Sequence, residues 1–419
     1  LIRIEVAKYR NKVWTNKLIR LKANDNSLWK MTKIFKKDYH PIPTLEKNDF
    51  EAVTDIEKAN LLASQFEAVH NIDLAQNTQE QDDIISQVQN FIDNTKTDNE
   101  WTKFITSPKE IINVIKKLPA CKAPGADKIQ NIILKNLCRK SIVQLTYIIN
   151  ACIKYSHFPT AWKTGNIVPI LKSGKDKTQP SSYRPISLLP TMSKVTEKIM
   201  LNRLSSFNEK RKILIDQQFG FREKHSTVQQ IIRIVNDISV NFNLDKVTVM
   251  LLLDIEKAFD RVWIHGLIYK LIKYDYPVTM IKLINSYLNN RNLYVTVNDS
   301  NSNKRRVKAG VPQGSVLGPM LFNVYLNDIP KFDRTQLALF ADDTAIYAHS
   351  FNAIIAAKQV QIHMSILENF YKTWKISLNA AKTDVIVFTK KKSRNSRIIQ
   401  PIKVNGHSAK STNTVKYLG

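Results

Sequence analysis

The chain has 419 residues, a hydrophobic share of 43%, and 63 Lys and Arg against 36 Asp and Glu, a formal net charge of +27. A share close to the usual globular value of about 45–50% excludes global disorder, and the length suits about two or three lobes. The basic surplus points to a polyanionic partner, because phosphate neutralisation by Lys and Arg drives most nucleic-acid affinity.

Residues 1–100 read as polar, charge-mixed helices. TDIEKANLLASQFEAV opens with a capping box, Thr54 and Glu57, and places Ile56, Ala59, Ala63, Phe66 and Val69 on one face. NTQEQDD (77–83) reads as a surface connection. A second box, SPKE from Ser107, precedes the stripe Ile111, Val114, Ile115, Leu118, and Pro119 ends that helix. From Ile167 the texture changes to IVPILKSGKDKTQPSSYRPISLL, which reads as a hairpin. Helices are expected over 192–207 and 227–242. VTVMLLLD reads as a central strand ending in a carboxylate, Asp254. A strand near 293–298, a helix over 317–326 and a hairpin around Asp342 follow. Strands and helices mix without strict alternation, so the fold class is α+β.

The hairpin segment LALFADDTAIYA sets two adjacent carboxylates, Asp342 and Asp343, in an apolar strand-forming run. Buried carboxylates are costly unless paired or bound to a metal. An isolated acidic dipeptide is more often a solvated turn, and the apolar flanks with Asp254 at another strand end weaken that reading without deciding between it and convergence. With both aspartates at the hairpin apex, three carboxylates would form the oxygen ligand set that hard divalent cations prefer.

DIEKAFDRV (254–262), VPQGSVLGP (311–319) and FADD (340–343) stand in the order of the palm motifs of a reverse transcriptase. KAPGADKI (122–129), SYRPISLL (182–189) and QFGFREKHST (218–227) precede them. LNAAKT (378–383) and VNGHSAKSTNTVKYLG (404–419) follow. Over roughly residues 105–419 the chain resembles the non-LTR, LINE-type retrotransposon polymerases, especially the jockey-like group.

The resemblance implies a right-hand polymerase with fingers (101–245), palm (246–388), a truncated start of thumb (389–419) and an N-terminal helical extension (1–100). It also implies catalysis with two Mg²⁺ ions, Mn²⁺ being a possible substitute. Asp254, Asp342 and Asp343 would be the catalytic metal ligands, joined by the backbone carbonyl of Ile255. Phe259 would sit under the incoming sugar and reject a 2′-hydroxyl by collision. Gln313 and Gly314 would line the nucleotide pocket, and Lys172 and Arg184 would grip the triphosphate, with Lys175 and Lys177 as rivals of Lys172. Lys382 would protonate departing pyrophosphate. Glu256 and Asp260 would pair with Lys or Arg on the following helix. The implied partners are an RNA template, a DNA primer at the target, dNTPs and further domains of a longer polyprotein, among them an endonuclease. The nucleus and cytoplasm are the implied locations. A group II intron maturase-like polymerase and a silent, RNA-binding remnant are the competing readings.

Other patterns carry less. Cys121, Cys138 and Cys152 are widely spaced and form no CxxC pair, so a disulfide framework is not expected and a reducing, intracellular setting fits. The longest apolar run, 249–253, is far below the ~18 residues of a membrane span. TKKKSRNSR (389–397) reads as a solvated loop more readily than as a nucleic-acid contact or a nuclear signal. Both ends, Leu1 and VKYLG, read as cuts through a longer protein.

Overall fold

The computed structural model describes residues 2–25, 27–35, 42–48, 50–72, 77–97, 99–390 and 399–418. Most of the basic run 389–397 therefore lies outside the described residues. The chain divides into two compact units, Leu1–Thr44 and Leu45–Gly419. The first holds helices α1 (Ile2–Ile19) and α2 (Ser27–Phe35). α1 buries no residue.

The second unit opens with a small hairpin, β1 (Leu45–Lys47) and β2 (Phe50–Ala52), and five helices follow. They are α3 (Asp55–Val69), α4 (Gln79–Asn94), α5 (Pro108–Lys117), α6 (Asn131–Lys135) and α7 (Arg139–Lys154). The Thr54–Glu57 capping box forms as expected. Ile56, expected on the inner face of α3, is 46% exposed. The buried face begins a turn later, with Ala59, Leu62, Ala63, Phe66 and Val69. NTQEQDD is not a connection, since Thr78 and Gln81 form a second capping box that starts α4.

At α5 the box is half made. Ser107 caps the Glu110 N–H, but the Glu110 side chain turns to Arg203, in bonds of 2.6 and 2.7 Å. The Arg203 hydrogen bonds, first among the causes, hold the Glu110 carboxyl below its ordinary value. A lowered carboxyl value stabilises the fold above about pH 4.5, and that contribution disappears as the pH falls further. Arg203→Met is expected to cost about 1 kcal/mol at pH 7. The gap from wild type should narrow in thermal melts taken below pH 4.5.

The chain then enters two sheets. β3 (Thr164–Leu171) and β4 (Tyr183–Leu188) form the expected hairpin. β6 (Arg291–Val297) joins β3 in parallel, and two short strands, β7 (Ser300–Asn301) and β8 (Arg305–Val307), pair with β6. Before β6 come α8 (Thr191–Arg211), α9 (Thr227–Asn243), β5 (Val247–Leu253), α10 (Ile264–Lys273) and α11 (Val278–Leu288). After the first sheet come α12 (Gly318–Tyr325), β9 (Gln336–Phe340), β10 (Asp343–Ser350), α13 (Ala353–Thr373) and β11 (Asp384–Phe388). The short pair β12 (Lys403–Val404) and β13 (His407–Ser408) precedes β14 (Lys410–Thr412).

The second sheet has the order β14-β11-β5-β10-β9. All seven residues of its middle strand, VTVMLLL, are buried, as expected of a strand covered on both faces. Val249, Leu251 and Leu253 join the large helical core. Met250 and Leu252 join Ile234 and Ile238 of α9 on the opposite face. Among the described residues no helix is long and apolar enough to cross a membrane.

Candidate active site

Asp254 follows the last residue of β5, and its carbonyl accepts the Asn379 N–H at 2.9 Å. Leu253 pairs with Thr344 of β10. One step beyond that pair, Asp254 comes opposite Asp343, so the two stand about one strand spacing (~4.8 Å) apart. By alternation both share the sheet face that carries Met250, Leu252, Ala345 and Tyr347.

The β9–β10 hairpin registers Phe340 with Asp343. Its turn is therefore Ala341-Asp342, and Ala341 has φ +57°. A left-handed first turn residue is what a tight hairpin of this twist requires. The expectation that both aspartates share the apex is thus corrected. Asp342 occupies the turn and Asp343 opens the strand.

The hairpin is anchored from below by QFGF. Phe219 N–H donates to Leu339 O at 2.9 Å, and Leu339 N–H donates to Gln217 O at 3.1 Å. The buried Gln218 Oε1 accepts both the Gly220 N–H (2.8 Å) and the Ala341 N–H (2.9 Å).

Burial, the largest cause, pushes the Asp342 carboxyl upward, with like charge from Asp254 adding and Arg184 opposing. Asp343 is pushed up to about 6, by burial first and then by Asp342 and Asp254. Both acids are poorly served as anions and would gain from a cation. As the side chains stand, no group of three or more His, Cys, Asp or Glu among the described residues is arranged to hold a metal ion. Their hard oxygen donors are nonetheless the type that Mg²⁺ prefers.

Asp254, Ile255 and Asp342 line a cavity of about 450 Å³ together with Lys172, Arg184, Phe259, Gln313 and Lys382. Lys175 and Lys257 line it too, whereas Lys177, Gly314 and Asp343 do not. The basic side chains crowd one another. Lys172 Nζ donates to Ser181 O at 2.8 Å. Its ammonium is pushed down by burial first and then by Lys257, Arg184 and Lys382. A bound polyanion would relieve that repulsion. Lys382 Nζ lies 3.4 Å from Asp254 Oδ2, and both side chains are well exposed, so the pair itself is weak.

Phe259 is half-buried and stacks on Phe322 with ring centroids 4.8 Å apart. Gln313 gives its Nε2–H to Asp260 at 2.9 Å. Gly314 is not among the residues that line the cavity. It has φ +101°, and a Cβ there would approach Ser187 O to 2.9 Å, so β4 rather than a ligand accounts for the glycine. Asp260 departs from the sequence reading, since its partners are Gln313 and His70 rather than a following helix.

Glu197 is a supporting residue that pattern reading passes over. Its fully buried carboxylate accepts the Val316 N–H (2.7 Å), the Leu317 N–H (3.4 Å) and the Ser193 hydroxyl (2.8 Å). It thereby fixes the loop that carries Gln313 into α12. Nothing in the run TEKIM on α8 distinguishes this glutamate from a surface charge.

The sequence matches the model of a family described as reverse transcriptase (RNA-dependent DNA polymerase) over residues 170–419. It is 36% identical over 404 residues to the probable RNA-directed DNA polymerase from transposon BS of Drosophila melanogaster, covering 94% of this chain and 44% of that protein. The RNA-directed DNA polymerase from mobile element jockey of the same fly is 31% identical over 406 residues, 95% of this chain and 43% of the relative. A Pol polyprotein from the type-1 retrotransposable element R2 of Popillia japonica is 25% identical over 276 residues, 62% of this chain and 36% of the relative. The chain thus spans less than half the length of these relatives.

Proposed function

Because this chain belongs to the reverse transcriptase family, we propose that it carries the RNA-directed DNA polymerase of a non-LTR retrotransposon protein. The fold is then a right hand. Residues 101–245 serve as fingers, 246–388 as palm, 389–419 as the start of a thumb and 1–100 as an N-terminal extension. The substrates are an RNA template, a DNA primer and dNTPs. Other parts of the element's protein, an endonuclease among them, are the expected partners, at work in nucleus and cytoplasm.

Asp254, Asp342 and Asp343, with the Ile255 carbonyl, would hold a pair of Mg²⁺ ions (or Mn²⁺), which when bound supply charge neutralisation at the attacking and leaving oxygens. The primer 3′-hydroxyl attacks the α-phosphate, and the protein's task is largely positioning and electrostatics. Arg184 offers a planar fork to phosphate oxygens and Lys172 a point charge. Lys382, whose side chain is exposed, would give a proton to departing pyrophosphate.

The reading rests above all on two acids from separate segments, Asp254 just past β5 and Asp342 in the β9–β10 turn, meeting in one cavity with Arg184, Lys172 and Lys382. Full-length protein given poly(rA)/oligo(dT), dTTP and Mg²⁺ should extend the primer. Tight RNA binding without incorporation would overturn the enzyme reading in favour of an RNA-binding remnant.

Phe259 supplies a prediction about sugar choice. An apolar pocket that merely lacks a hydroxyl partner discriminates weakly, so rejection must come from collision with the ring. Phe259→Val, which shortens it, is expected to raise UTP incorporation relative to dTTP by about 10–100-fold. An unchanged ratio of kcat/KM values would remove Phe259 from this role.

A further inference from the structure

Residues 45–72 fold with the unit that carries the cavity, and Gln65, Phe66 and Val69 of α3 line the cavity itself. Just past that helix stands His70, 6% exposed. Its Nδ1 lies 2.7 Å from Phe66 O. A carbonyl oxygen can only accept, so Nδ1 carries a proton. Its Nε2 lies 3.4 Å from Asp260 Oδ1. Asp260 is 3% exposed, and this oxygen has no hydrogen-bond partner among the described residues. The other oxygen, Oδ2, accepts from Gln313.

A carboxylate only accepts, so Asp260 dictates which end of the Gln313 amide faces it. Nε2 must turn to Asp260, which leaves Oε1 for the other side. What holds Asp260 thereby holds Gln313. Two further cations act on this carboxylate from a distance, the buried Arg291 and Lys172 on the cavity wall. Nε2 of His70 is the ring atom that faces Oδ1, and a ring carrying a proton on each nitrogen would serve both acceptors at once. Removing the imidazole would take away the ring nitrogen 3.4 Å from Oδ1, leaving a buried oxygen with still less compensation, which a side-chain rotation would relieve. That rotation would release Gln313.

We infer that His70 is a positioning residue for the nucleotide pocket, fixing the Gln313 amide through Asp260. The inference rests on the polymerase reading. It gives the segment before the reverse transcriptase motifs a task in holding the incoming nucleotide.

The test is dTTP titration of full-length protein on poly(rA)/oligo(dT), comparing wild type, His70→Phe, Gln313→Ala and the double variant. His70→Phe is expected to raise the dTTP KM about fivefold with kcat within about twofold. In the Gln313→Ala background it should add nothing, because the side chain it orients is gone. His70→Gln, which keeps a donor, should recover part of the affinity, and it carries the comparison if His70→Phe does not fold. An equal KM rise in both backgrounds would make His70 a general brace, and an unchanged KM would leave it no role here. Either result overturns the inference. Failure of wild type to incorporate dTTP would instead sink the polymerase reading. The same four proteins are then compared by equilibrium binding of a fluorescent dTTP analogue, where the same additivity rule decides on His70. Absence of binding by wild type overturns both.

Discussion

Asp342→Asn is expected to lower dTTP incorporation by about 10³-fold or more while RNA binding and the thermal midpoint stay near wild type. The substitution is almost isosteric and removes one charge at the turn of the β9–β10 hairpin. In the ion-free protein that charge is unfavourable, since burial and Asp254 both push the carboxyl upward. Its loss should therefore leave stability unchanged or slightly improved. An ordinary structural residue behaves otherwise, losing fold and activity together. Added Mg²⁺ should raise the melting temperature of wild type and raise that of the variant less, because one ligand is missing. Retention of more than a tenth of wild-type incorporation would remove Asp342 from the reaction.

Much of this site could be read from the sequence. The continuous apolar run of β5, the hairpin after Ile167 and the cap at Thr54 are local signals, and each produced its element. The acids were visible because carboxylates in apolar strands conflict with local preference, and such conflicts mark functional sites. What escaped depends on contacts between distant segments. Glu197 is unremarkable in its helix until the Val316 and Leu317 N–H groups meet it, 119 and 120 residues away in the chain. His70 looks like any residue at a helix end until Asp260 approaches. The start of α4 was different, for a T-x-x-Q cap was present in a polar run whose composition suggested a loop.

Gly220→Ala is expected to cost about 1–3 kcal/mol of stability and about 10²-fold in kcat. A Cβ at this position would lie 2.2 Å from Ala341 N and 2.8 Å from Phe340 C. Both are backbone atoms of the β9–β10 hairpin, so no side chain can swing aside. The glycine cannot retreat easily either. Its N–H is held by Gln218 Oε1, which also takes the Ala341 N–H, and its carbonyl accepts from Asn323 Nδ2 at 2.7 Å. The strain must then move the turn that carries Asp342, and a displacement near 1 Å at a reacting centre is enough to cost two orders of magnitude. Gly165→Ala in β3 is the natural control. The nearest atoms to a Cβ there are side-chain carbons at 3.7–3.8 Å, so incorporation should stay within about twofold of wild type. Loss of activity at Gly220 with an intact melting transition would point to displacement of the hairpin rather than to failed folding. Full activity in Gly220→Ala would mean that QFGF does not fix the position of Asp342.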